Sequence, residues 1–149
     1  MSTPGKAVLR RFLDHLNAHD LTTIDEVVAD DVVESGPIVV DAPSGGIENF
    51  RTGWARMLTA FPDLRVEAET MLAEGDRVAA TISLSATNTG YYRRGEATGR
   101  HATWRGFVVV RVRDGRIAEI DAQTDRFGML RQLGIIGDDD ELAAPRQAS

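Results

Sequence analysis

Between Gly5 and Asn17, the residues Val8, Leu9, Phe12, Leu13 and Leu16 fall three and four apart, which predicts an amphipathic helix with one buried face. The same period through Leu21, Ile24, Val27 and Val28 predicts a shorter helix from Asp20 to Ala29, with Asp20 as its N-cap. Val32, Val33, Ile38, Val39 and Val40 are β-branched, but Gly36-Pro37 interrupts them, so the strand they predict is bent or lies at a sheet edge. After the loop chemistry of Pro43-Ser44-Gly45-Gly46, a third helix runs through Ile47, Phe50, Trp54, Met57, Leu58 and Phe61 until Pro62 stops it. From Leu64 the period shifts towards 2, and strands are expected at about Leu64–Ala73, Arg77–Thr89, Ala102–Val112 and Arg116–Thr124. Turn signals at Glu74-Gly75-Asp76 and Arg113-Asp114-Gly115 separate them, while the polar, glycine-rich stretch from Gly90 to Gly99 reads as a rim loop. A last short helix is predicted over Asp125–Ile136, with Met129, Leu130 and Leu133 turned inward.

Helices first and antiparallel strands afterwards make an α+β fold: a curved antiparallel or mixed sheet with about three helices on one face and a hollow at its open end. A length of 149 residues suits one domain, taken here as 1–137, with 138–149 an acidic, flexible tail opened by Asp138-Asp139-Asp140-Glu141. Cysteine is absent, which excludes disulfides, thiolate nucleophiles and cysteine-held metal centres. A formal charge of −6 works against nucleic-acid and anionic-membrane partners, because phosphate binding needs a basic footprint. Met1 to Lys6 carry no basic region followed by an apolar one, and no apolar run is long enough to span a bilayer, so a cytoplasmic protein is expected.

Candidate chemistry concentrates on the last strand, where Glu119, Asp121, Gln123 and Asp125 alternate with Ala118, Ile120, Ala122 and Thr124. Asp125 stands where the strand ends and a helix begins, so it can cap that helix or project into a pocket. The partners of this stripe depend on the hairpin. A two-residue Asp114-Gly115 loop pairs Arg113 with Arg116 and sets Trp104, Val108 and Val110 beside the acids. A three-residue loop with Gly115 as a left-handed bulge pairs Val112 with Arg116 and brings Arg105, Phe107, Val109 and Arg111 there instead. The second closure is preferred, because it gathers the apolar residues on one face and gives the arginines carboxylate neighbours. Asn88 offers either turn chemistry or an amide for a bound carbonyl. His15 and His19 have a metal-like i, i+4 spacing but no supporting acid, and read as surface histidines. Phe50, Trp54 and Met57 belong to the core and can also wall the hollow.

Six blocks, in this order, resemble the SnoaL-like polyketide cyclase family: Phe61-Pro62-Asp63-Leu64, Ala73-Glu74-Gly75-Asp76-Arg77-Val78, Thr98-Gly99-Arg100, Trp104-Arg105-Gly106, Arg113-Asp114-Gly115-Arg116-Ile117, and Asp125 through Gly134. The resemblance implies the cone-shaped barrel shared with ketosteroid isomerase and nuclear transport factor, assembled as a homodimer or homotetramer. It implies a pocket without cofactor or metal for a polycyclic aromatic polyketide, and an intramolecular aldol closure in which Asp125 matches the family's acid/base aspartate. The chain departs from the cyclases in carrying Arg111 and Asn88 where they have histidines, and Leu16 where they have a tyrosine.

The expectation is therefore an enzyme of polyketide tailoring, with Asp125, Asp121, Arg111 and Asn88 as catalytic candidates. Phe50, Trp54, Met57, Phe107 and Gln123 are its substrate-binding candidates. The alternatives are a hydroxylase of the anthracycline-pathway type, an epoxide hydrolase of the same barrel using Arg111, Asp121 and Asp125, and a non-catalytic ligand-binding module.

Overall fold

The computed structural model describes residues 4–35, 45–92 and 96–136. The element order is α1 (Pro4–Asn17), a 3₁₀ turn (Ile24–Glu26), β1 (Val28–Ser35), α2 (Ile47–Ala60), β2 (Arg65–Glu74), β3 (Arg77–Thr87), β4 (His101–Arg113), β5 (Arg116–Thr124) and α3 (Arg126–Gln132). The five strands form one open sheet in the order β1-β5-β4-β3-β2, antiparallel except for the parallel pair β1–β5. The α+β expectation, with three helices and a mixed sheet, holds. The acidic stretch from Asp138 onward and Ile38 to Val40 lie outside the described residues.

One sheet face carries Val78, Ala80, Ile82 and Leu84 of β3, then Trp104, Val108 and Val110 of β4, with Ile120 on β5. The helices bury Val8, Leu9, Phe12, Leu13, Leu16, Phe50 and Trp54 in the same cluster. This segregation decides which face is covered, since hydrophobic area gains most when the apolar stripes of helix and sheet meet. β1 lies at the edge, where a strand ending in Gly36-Pro37 belongs.

Three local expectations are corrected. The helix predicted over Asp20–Ala29 contracts to a single 3₁₀ turn, because Val27 accepts the Ile117 N–H and Val28 pairs with Ile117. Sheet pairing outcompetes a short helical period. Asp20 consequently caps no helix, and its carboxylate instead accepts the Thr22 N–H at 3.0 Å within a turn. The β4–β5 hairpin closes by the two-residue loop, with Asp114 (φ 53°) and Gly115 (φ 74°) both left-handed and Arg113 opposite Arg116. A bulge then shifts the register: Val112 faces Ile117 but Arg111 faces Glu119, leaving Ala118 as the extra residue. The faces end up as the other closure would have placed them, with Phe107, Val109 and Arg111 opposite Gln123, Asp121 and Glu119.

Beyond β3 the chain is tied down by Asn88, which is fully buried. Its Oδ1 accepts the Thr98 N–H and its Nδ2 donates to the Gly90 carbonyl, both at 2.9 Å. Gly90 in turn donates to the Ala60 carbonyl, and a Cβ there would lie 2.3 Å from the Thr59 carbonyl oxygen, so only glycine fits. Asn88→Ala removes both hydrogen bonds of a fully buried amide and is expected to cost about 1–3 kcal/mol, read as a lowered urea midpoint at unchanged m-value.

Candidate functional site

The acidic stripe faces away from the helices. Asp121 and Gln123 are exposed, and Phe107 opposite Gln123 is 66% exposed. Arg111 donates to Glu119 at 3.0 Å, and the pair holds the Glu119 carboxyl below its ordinary range. Arg105 likewise pairs with Glu69 through two nitrogens at 2.6 and 3.1 Å. Phe107 and Gln123 therefore do not wall an interior hollow: the apolar partners of β4 and β5 claim the helix side, and strict alternation sends these two to the other. Arg111, Asp121 and Asp125 do not converge as an epoxide-hydrolase trio either, since Arg111 is spent on Glu119. A shallow hollow of about 370 Å³ does exist on this outer face, between Arg65, Glu67, Ser83, Ser85, Thr103 and Arg105.

Asp125 is exposed, and its Oδ1 accepts the Gly128 N–H at 2.9 Å as the N-cap of α3. Of the two roles open to it, the structure shows the cap. Asn88 similarly uses both ends of its amide to close the rim turn. The two helix-spaced histidines diverge, because His19 sits past the end of α1 in a left-handed conformation (φ 57°) with Nε2 against the Leu64 carbonyl, while His15 lies near Glu26. Among the described residues no cluster of histidine and acid is placed to hold a metal ion.

Phe50, Trp54 and Met57 do lie on the helix side of the sheet. Phe50 and Trp54 are buried one turn apart on α2 with ring centroids at 6.1 Å, Phe12 joins Phe50 at 5.9 Å, and Met57 packs against the cluster. Opposite them the structure places a carboxylate that the pattern reading passed over. Glu34 is in phase with buried Val32 on β1 and registers with Ile120 of β5, so its side chain leaves the sheet on the helix side. The Trp54 Nε1–H donates to Glu34 Oε2 at 3.3 Å. The other carboxylate oxygen has no hydrogen-bond partner among the described residues. Burial raises the carboxyl from 4.5 to about 7, and the indole N–H offsets only part of that. The available signal was an acid in period-2 phase with Val32, just after the apolar pair Val32-Val33.

Beside this carboxylate the inner face is built of small groups. Ala122 faces Val108, which faces Ala80, and Thr124 faces Gly106. Gly106 is dictated by close approach, as a Cβ there would come within 2.5 Å of the Gln123 carbonyl oxygen. Aromatic rings, small alanine and glycine positions and one half-buried acid thus share the helix-covered face of the sheet.

A family model described as SnoaL-like polyketide cyclase matches residues 6–133. Among solved structures, IdmH of Streptomyces antibioticus, provisionally named a polyketide cyclase, is 29% identical with a TM-score of 0.77, over 87% of this chain and 98% of its own. AclR of Streptomyces galilaeus, provisionally named a hydroxylase, is 26% identical with a TM-score of 0.76, over 89% and 97%. TsrD of Streptomyces laurentii, at 23% identity and a TM-score of 0.79 over 91% and 99%, shares the fold. No curated protein matches the chain.

Proposed function

The chain belongs to the SnoaL-like polyketide cyclase family, and on that premise we propose that it is a tailoring enzyme that takes a polycyclic aromatic polyketide into the space between α2 and the inner sheet face and closes a ring on it by carboxylate acid/base chemistry. One observation supports this above the others: the family match runs from residue 6 to residue 133 and so takes in every element that borders this space. Phe50, Trp54 and Met57 supply the apolar wall, and the reaction needs only a proton taken from carbon and returned to oxygen.

Incubation with a hydroxyanthraquinone bearing a keto side chain tests the reading. Saturable quenching of tryptophan fluorescence and a product of unchanged mass are expected. Absence of both defeats it. The similarity to AclR favours one second reading, a hydroxylase, for which the product gains one oxygen atom and dioxygen is consumed.

A second copy of this chain is the partner proposed for the outer sheet face. Leu72, Ala79 and Val109 form one row across β2, β3 and β4, and exposed Phe107 lies beside Val109 in the adjacent row. Arginine–carboxylate pairs border them, a surface that can match its own two-fold mate. Phe107→Glu is expected to halve the mass seen by light scattering at micromolar concentration. An unchanged mass would remove this face from the assembly.

A further inference from the structure

We propose that Glu34, held by Trp54, is the group that moves the proton in this site, a role shifted from the end of the last strand to the edge strand β1. The inference rests on the reading of the chain as a carbon-acid enzyme and names the residue and the substrate class: a ketone on an aromatic framework with an acidic methylene next to its carbonyl. Three geometric facts converge on it. Glu34 emerges on the covered face of the sheet, in register with Ile120, while Asp121 and Glu119 emerge on the other face. Its Oε2 is oriented by the Trp54 indole, whose ring stands next to Phe50 in the apolar wall. Its second oxygen has no hydrogen-bond partner among the described residues, and it is the atom assigned here to meet the substrate proton.

No charged group of the surrounding elements is among the causes that shift Glu34, and several of them pair with one another. On α2, Arg51 pairs with Glu48 and Asp25; on the 3₁₀ turn, Glu26 lies near His15; on β1 itself, Asp31 pairs with Arg113; on β5, Glu119 pairs with Arg111. Desolvation therefore governs the acid. A carboxyl poised near neutrality is half ionised at working pH, which suits both halves of the reaction.

The step balances without a co-reactant. The Glu34 carboxylate takes the proton from the carbon next to the carbonyl, and the C–H electron pair becomes the enolate. The enolate carbon then attacks a second carbonyl of the same molecule, forming one C–C bond. Protonated Glu34 returns its proton to the new alkoxide, so product and substrate are isomers.

The test uses β-tetralone, a bicyclic ketone whose benzylic methylene lies between the aromatic ring and the carbonyl, in D₂O, with loss of the benzylic methylene signal followed by proton NMR. Wild type is expected to accelerate exchange, and Glu34→Gln to lower the enzymatic rate by at least about 100-fold, the span of a positioned general base. Trp54→Phe removes the donor that favours the ionised form, so the acid limb of the rate profile should move to higher pH, a change that mere loosening of the core would not produce. Exchange that survives Glu34→Gln overturns the proposal. If that exchange is lost in Asp125→Asn, the reading as a carbon-acid enzyme stands with a different base. If wild type binds β-tetralone, by tryptophan quenching, without accelerating exchange, the Glu34 role fails. If it does neither, the reading beneath it fails as well.

Discussion

Glu34→Gln stabilises the folded chain by about 3 kcal/mol above about pH 8 and by almost nothing below about pH 4, because a carboxyl raised from 4.5 to about 7 gives 1.36 kcal/mol per unit. The sign follows from proton binding. Between 4.5 and 7 the folded chain keeps a proton that the unfolded chain has released, so wild-type stability falls as pH rises through that window and is level beyond it. Glutamine keeps the shape and an acceptor for the Trp54 N–H but cannot ionise, so it escapes the loss. Urea denaturation of both proteins at a series of pH values reads the difference directly. Curves that stay parallel from acid to alkaline pH would mean that Glu34 ionises in the fold as easily as in water. A residue that costs stability where it is charged, beside an aromatic wall, is what a functional acid looks like.

Phe61→Ala is expected to cost about 3–5 kcal/mol, the range for truncating a fully buried aromatic, with a further loss of order 1 kcal/mol from its ring contact. Phe61 has no exposed surface, meets the Tyr92 ring edge-on at 5.0 Å, and its N–H closes α2 on the Met57 carbonyl. It joins the end of α2 to the start of the rim loop, which the neighbouring Thr89 and Gly90 N–H groups also grip through the Ala60 carbonyl. Since α2 carries Trp54, the loss should extend to the site, with weaker tryptophan quenching by an aromatic ligand along with a lower thermal midpoint. Phe61→Leu retains most of the volume and should recover most of both.

The four long strands and the three α-helices could be read from the chain because each buries one face, and burial of one face imposes a period. The short helix over Asp20–Ala29 could not, because Val27 and Val28 fit a helical stripe as well as a strand, and only Ile117, a partner far along the chain, decides between them. The hairpin shows a subtler failure. Asp114-Gly115 supports the two-residue turn on its own, and the face segregation supports the other closure. Both signals were right, and the bulge at Ala118 reconciles them, yet nothing in the run Arg116-Ile117-Ala118-Glu119 marks which residue will bulge.

The site was harder to read for a related reason. Period 2 groups Asp121, Gln123, Arg111 and Phe107 on one face, but whether that face meets helices or solvent depends on the apolar content of the opposite face, which all five strands supply together. Asp125 illustrates the same limit at the level of one residue. Its cap role was visible in the Asp-before-helix pattern, and its solvent exposure follows from α3 starting at Arg126. Glu34 was hidden because a single acid between Val33 and Ser35, next to Gly36-Pro37, looks like the end of a strand. Its chemistry appears only when Trp54, twenty residues on, folds back over it.

The central claim is that an inward carboxylate on β1, kept largely from water, holds a proton near neutrality. Carbon-detected NMR titration of the full chain labelled at glutamate side-chain carboxyls, with Glu34→Gln to assign the resonance, measures this without any substrate. The account predicts one glutamate with a midpoint of about 7, absent from the variant. A Glu34 resonance that titrates at the ordinary 4.5 would contradict it.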